Sequence, residues 1–171
     1  NISLDQYGSL ILTENNNKYE ITTFRRESKY LDNRHPTKVK FVNNLKTDLK
    51  RRDFTVNAMA FSSHTGLVDV FDGIGDIDIF KGREDINKRL IRMIGKPDKR
   101  LKEDALRILR AIRFSVTLDF ELEENLKTAI KQNSHLVNNL SYFYKKKELE
   151  KIFLSPNIKK GIELILDLGL D

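Results

Sequence analysis

Apolar and polar positions alternate in short runs along the first part of the chain. The run Tyr7-Gly8-Ser9-Leu10-Ile11-Leu12-Thr13 is followed by the polar Glu14-Asn15-Asn16-Asn17 and then by a β-rich run from Lys18 to Arg25. Two such runs around an asparagine cluster predict a hairpin. Alternation within the second strand sets Tyr19, Ile21 and Thr23 on one face and Glu20, Thr22 and Phe24 on the other. From Arg26 to Lys46 the residues turn polar and charged around Pro36, which predicts a long surface loop. Asn44 or Thr47 is placed to cap a helix holding Asp48 to Asp53 and running on through Phe54, Ala58 and Ala60. Leu67 to Phe71 reads as a strand, the glycines at 73, 75 and 82 as a turn-rich stretch, and Arg89 to Ile94 as another short strand.

After Pro97 the period changes. No glycine occurs from Asp98 until Gly161, and Leu101, Ala105, Ile108, Ile112 and Val116 step by three or four. Leu122, Leu126, Ala129 and Ile130 form a second stripe. Ser141 opens a third helix carrying Leu149, Ile152 and Phe153, and Ile158 to Leu168 supplies a fourth. The pattern is that of an α+β chain: residues 1–96 mix strands and helices, and residues 97–171 are all helical.

Composition narrows the classes. Of 171 residues, 39% are hydrophobic and 33% charged, which suits a folded globular chain. Lys and Arg number 31 against 25 acidic side chains, and the surplus of +6 suits a polyanionic partner but is as common in proteins without one. Cysteine is absent, so disulfides, thiolate zinc sites and cysteine nucleophiles are excluded. No apolar run approaches the ~18 residues of a membrane span. The chain opens on Asn1 without a methionine, a charged leader or an apolar leader, and is expected either to have lost something upstream or to be a piece of a longer protein.

Two polar clusters could carry chemistry. In Arg51-Arg52-Asp53-Phe54-Thr55-Val56-Asn57, a helix would bring Asp53 and Asn57 onto one face with Arg52 beside them. Guanidinium forks grip phosphate oxygens, and a carboxylate accepts from ribose hydroxyls. In Glu103-Asp104-Ala105-Leu106-Arg107, a helix would project Asp104 and Arg107 side by side as an acceptor and a donor edge for a base. Glu103 could hold Arg107 one turn on, and Arg110 and Arg113 continue the row. Both patterns equally suit ion-pair lattices on solvated helix faces. Asp76-Ile77-Asp78 is an Asp-x-Asp pair, but it sits in the glycine-rich stretch, where Gly73 to Ile77 and Gly82 to Ile86 both fit G-x-x-D-I. His35, His64 and His135 lack ligand spacing. Lys145-Lys146-Lys147 and Lys159-Lys160 could follow an RNA backbone or merely cover a solvated face.

Taken in order, Tyr19-Glu20-Ile21-Thr22-Thr23-Phe24-Arg25, Tyr30-Leu31-Asp32-Asn33-Arg34-His35-Pro36, Arg51 to Ala60 and Glu103 to Arg107 resemble the bacterial (class II) tRNA nucleotidyltransferase and poly(A) polymerase family. The resemblance runs from about Tyr7 to Gly169. It implies the rear of a polymerase-β-like nucleotidyltransferase head over 1–96, with a small mixed sheet, and a helical neck over 97–171. It implies a cytoplasmic protein that adds C and A, or A alone, from CTP and ATP to a tRNA 3′ end. By the same resemblance Arg52 and Asn57 contact the triphosphate and Asp53 the ribose. Asp104 and Arg107 select the base, Glu103 steadies Arg107, and Arg110 supports the same ligand. The stretch from Arg26 to Pro36 resembles the flexible element that switches selection from C to A.

Family members hold their Mg2+ ions on an Asp-x-Asp pair upstream of the strand near Tyr7, and the residues from Asn1 to Tyr7 do not contain one. Glu20 is the candidate for a supporting catalytic and metal-binding carboxylate, and the chain alone is expected to be inactive. The alternatives are a non-catalytic RNA- or nucleotide-binding module and a bacterial poly(A) polymerase. Tyr142-Phe143-Tyr144 stands where relatives place a Glu-Arg pair, which leaves the packing of the third helix open.

Overall fold

A computed structural model describes residues 2–4, 9–30, 36–62 and 75–170. The predicted hairpin is present. β2 (Ser9–Glu14) pairs antiparallel with β3 (Asn17–Thr22), and β1 (Ile2–Leu4) adds a third strand on the other edge of β2. Asn15 and Asn16 both take positive φ, 49° and 64°, as a two-residue hairpin loop requires.

The expected loop between Arg26 and Lys46 is instead a second hairpin. β4 (Arg25–Tyr30) pairs antiparallel with β5 (Pro36–Phe41), with Arg25 opposite Phe41 and Tyr30 opposite Pro36. Its strands are largely polar and mostly exposed, so no hydrophobic alternation marks them in the sequence. The ladder closes on the body where Val42 N donates to Phe24 O at 2.8 Å.

α1 (Leu45–Arg51) begins where Asn44 Oδ1 accepts from Thr47 N at 2.9 Å, an N-cap at one of the two expected positions. It ends at Arg51, seven residues in, rather than continuing to Ala60. Arg52 and Phe54 are extended, Thr55–Asn57 makes a 3-10 turn, and β6 (Ala60–Ser62) pairs antiparallel with β7 (Gly75–Ile77). The reason for the early stop is tertiary. Thr55 N donates to Arg92 O and Ile94 N to Asp53 O, both at 3.0 Å, so the chain is pulled into a bridge between Phe54 and Met93. The expected strand at Leu67 to Phe71 lies outside the described residues, as do His35 and His64.

α2 (Gly82–Asn87) leads into β8 (Leu90–Ile91), which pairs in parallel with β9 (Glu121–Leu122). The helical part comprises α3 (Pro97–Glu103), α4 (Leu106–Leu118), α5 (Glu124–Asn133), α6 (Tyr142–Phe153) and α7 (Ile158–Asp167). The first sequence stripe is buried throughout, with Leu101, Ala105, Ile108, Ile112 and Val116 at 0% exposure, although it crosses the break between α3 and α4. α6 forms despite its aromatic start: Tyr142 and Phe143 face outward and Tyr144 packs on the core.

Two apolar clusters hold the molecule. A small one joins Leu45, Leu49, Ala58, Ile77 and Ile94. The large one joins Phe54, Ile91 and Met93 to the inward faces of α3 to α6. Among the described residues no helix is long and apolar enough to cross a membrane.

Candidate functional site

Asp53 is positioned by the stop of α1. Its Oδ1 accepts from Phe54 N at 2.8 Å and from Asn57 Nδ2 at 3.1 Å, and its Oδ2 from Arg110 Nε at 2.7 Å. Asp53 and Asn57 therefore do meet, but across the 3-10 turn rather than along a helix face. Burial pushes the Asp53 carboxyl up, yet the Arg110 charge and the Asn57, Arg110 and Phe54 donors together hold it below the ordinary value of 3.8. Arg52 donates through Nη1 to Asn57 O at 3.0 Å and reaches Asp48 Oδ2 at 3.5 Å, with its side chain 42% exposed. Asp48, buried under the end of α1, also takes Arg51 Nη2 at 2.7 Å and Arg25 N at 3.1 Å.

The second cluster lies at the junction of α3 and α4. Asp104 does not sit inside one continuous helix: with φ −143° and ψ 99° it ends α3, and its Oδ1 accepts from Leu106 N at 3.1 Å to start α4. Arg107 is in the first turn of α4 and buried. Its Nη1 donates to Arg100 O at 2.8 Å and approaches Glu103 Oε2 at 3.5 Å, while Nη2 reaches Arg51 O at 3.4 Å. The pairing of Glu103 with Arg107 is as the spacing predicts, and Glu103 Oε2 also takes Arg100 Nη1 at 2.6 Å.

Beside these residues opens a cleft of about 850 Å³, walled by β4, one side of α1, Phe80, the stretch at Ile94 and Gly95, and α3. Arg26, Lys50, Arg51, Lys96, Lys99 and Arg100 line it, against the acidic Glu27 and Glu103. The surplus of cations gives it a positive lining, suited to an anionic ligand. Of the residues singled out in the sequence, Glu103 is on the wall, and Arg107 is bonded directly to wall residues. Arg52, Asp53, Asn57 and Arg110 form the neighbouring bonded cluster, which connects to the wall through the Arg51–Arg52 main chain.

Glu20 stands apart, exposed on β3 opposite Ile11. Among the described residues no group of three or more His, Cys, Asp or Glu could hold a metal ion. The residues described thus do not gather the carboxylates a Mg2+ pair needs. Asp78 of the Asp-x-Asp pair caps α2, accepting from Gly82 N at 2.6 Å and Arg83 N at 2.9 Å. Lys160 is drawn inward by Glu121 at 2.7 Å and Phe120 O at 3.1 Å, whereas Lys146 and Lys147 remain exposed.

Sequence reasoning missed Arg100, and it missed Glu148, a buried acid of α6 that takes Arg113 at 2.8 Å and lies 4.0 Å from Arg110. Arginines recurring beside an apolar stripe call for a buried acid somewhere. Nothing local says that it comes from another helix.

Comparison with known proteins gives this arrangement its class. Residues 3–92 match the family model of the poly A polymerase head domain, and residues 119–170 match that of a probable RNA- and SrmB-binding site of polymerase A. The chain belongs to the poly(A) polymerase and tRNA nucleotidyltransferase family. It is 41% identical over 161 residues to the CCA-adding enzyme of Streptococcus thermophilus, covering 94% of this chain and 38% of that protein. It is 43% identical over 162 residues to that of Streptococcus uberis, again covering 38% of the relative. Among solved structures, the Bacillus stearothermophilus CCA-adding enzyme in complex with CTP superposes with a TM-score of 0.81 at 36% identity, over 97% of this chain and 38% of that one. The Thermotoga maritima CCA-adding enzyme complexed with tRNA superposes with a TM-score of 0.73 at 28% identity, over 99% of this chain and 37% of that one. The chain spans about two fifths of the length of these relatives.

Proposed function

We propose that this chain is the nucleotide-selecting part of a template-independent RNA nucleotidyltransferase, which extends a tRNA 3′ end with C and A from CTP and ATP. The observation that carries the reading is one set of bonds: buried Arg107 of the Glu-Asp-x-x-Arg segment donates to the carbonyl of Arg51 in the Arg-Arg-Asp segment, and Arg51 lines a cationic cleft. Two motifs that are 50 residues apart in sequence are thereby registered at one site suited to a triphosphate and a base. Relatives with the same fold are described in complex with CTP, with ATP and with tRNA.

In this reading residues 1–96 are the rear of the head and 97–171 the neck. Arg52 and Asn57 take the triphosphate and Asp53 the ribose, with Arg110 holding Asp53 in place. Asp104 and Arg107 read the base edge, and Glu103 fixes the Arg107 guanidinium. The reaction of the whole protein is attack of the RNA 3′-hydroxyl on the α-phosphate of CTP or ATP, with pyrophosphate leaving. The described residues supply selection and orientation of the nucleotide. Glu20 is an auxiliary acid at most, since one exposed carboxylate builds no metal site by itself.

Titration calorimetry with CTP, ATP, UTP and GTP tests the proposal. The chain should bind CTP and ATP in preference to the other two, and Arg107→Ala should weaken both by about tenfold or more, the worth of a good bidentate base contact. Unchanged discrimination in Arg107→Ala, in a variant whose circular dichroism matches the parent, would sink the assignment.

A further inference from the structure

Arg100 was not among the residues that the sequence motifs single out, yet its side chain sits where the two motifs touch. α1 is short, and its last carbonyls have no partners within the helix and carry the negative end of its dipole. Arg100 reaches across from α3 and donates through Nη2 to Arg51 O at 2.7 Å and to Arg52 O at 2.8 Å. Its Nη1 holds Glu103 Oε2 at 2.6 Å. The same Glu103 oxygen and the same Arg51 carbonyl are the ones approached by Arg107, at 3.5 and 3.4 Å, and Arg107 in turn donates to the Arg100 carbonyl at 2.8 Å.

We propose that Arg100 is a positioning residue for base selection: its planar fork closes a ring, Arg100–Arg51–Arg107–Glu103, that sets the base-reading side chains at a fixed height above the triphosphate-binding segment. The inference rests on the nucleotide-selecting reading above and adds a residue to it. Arg100 also lines the cleft, so a plain alternative exists in which it offers the triphosphate one more positive charge. The chemistry separates the two. A point charge can be supplied by lysine, whereas an ammonium cannot span two adjacent carbonyls and a carboxylate in one plane.

The test compares the full 171-residue chain with Arg100→Lys and Arg100→Met by calorimetry, using the four nucleoside triphosphates and inorganic tripolyphosphate. Positioning requires that both variants lose about tenfold of the preference for CTP and ATP over UTP and GTP, while tripolyphosphate affinity in Arg100→Lys stays within about threefold of the parent. Restoration of full preference by lysine, or equal weakening of all five ligands, overturns it.

A second measurement needs no nucleotide. Arg100→Met, Arg107→Met and the double variant are compared by thermal unfolding. A shared ring makes the two losses in Tm markedly non-additive. Additive losses overturn the ring, whatever the ligands do. Absence of nucleotide binding by the parent, together with non-additive losses, would instead remove the proposed function and leave the geometric coupling standing.

Discussion

At the scale of single residues, Asp53 shows how a buried carboxylate is kept charged. Three groups from three places, the Phe54 amide, the Asn57 amide and the Arg110 guanidinium, converge on its two oxygens and outweigh the burial that opposes ionisation. A depressed folded-state pKa contributes stability above the unfolded value, and that stability is lost as the pH falls through the folded value. Asp53→Asn should therefore destabilise the chain by about 1–3 kcal/mol near neutrality, a buried pair discounted for the partial exposure of Arg110. The gap in Tm between parent and variant should stay level down to the ordinary carboxylate value of 3.8 and close only in stronger acid. A gap that already closes near neutral pH would show that Asp53 is not held as described.

At the scale of elements, the helices were largely legible and the polar hairpin was not. Buried stripes such as Leu101 to Val116 repeat with helical period because one side of each helix meets the core, so burial writes itself into the sequence. β4 and β5 have no buried face to write, and their polar residues read as a loop. The helix expected through Arg51 to Ala60 stops early for a different reason: Asp53 to Thr55 is claimed by main-chain bonds to Arg92 and Ile94, partners 37 to 41 residues further on that no local pattern announces. The site suffered the same way. Its residues were named from their motifs, but the break at Asp104 and the bonds through Arg100 exist only once α1 and α3 have met.

The turn that follows α1 also explains a glycine. A Cβ at Gly82 would lie 2.3 Å from the carbonyl oxygen of Thr55, in the turn that carries Asn57. Gly82→Ala should cost about 1–3 kcal/mol and loosen the Asn57 contact, read as a fall in Tm with faster amide exchange at Thr55 to Ala58. Tm and exchange unchanged from the parent would show that α2 can simply step back.

At the scale of the whole molecule, the large apolar cluster draws Phe54, Ile91 and Met93 together with the inward sides of the helices. The chain is expected to unfold in one calorimetric transition, and two resolved transitions would contradict a shared core. The close crossing at Gly161, where a Cβ would stand 2.6 Å from Ile152 Cγ2, belongs to that same unit. The β4–β5 hairpin is tied to this body differently. Arg51 reaches Glu27 at 3.3 Å, and Asp48 accepts from the Arg25 main chain. An isolated two-stranded ribbon is barely stable in water, so much of its order is lent by these ionic moorings. Removing that charge should therefore act on it as a local denaturant: in Glu27→Gln, deuterium uptake in β4 and β5 should quicken while α4 stays protected, and unchanged uptake would show that the hairpin stands without it. One polypeptide would then show two rigidities, set by whether that mooring keeps its charge.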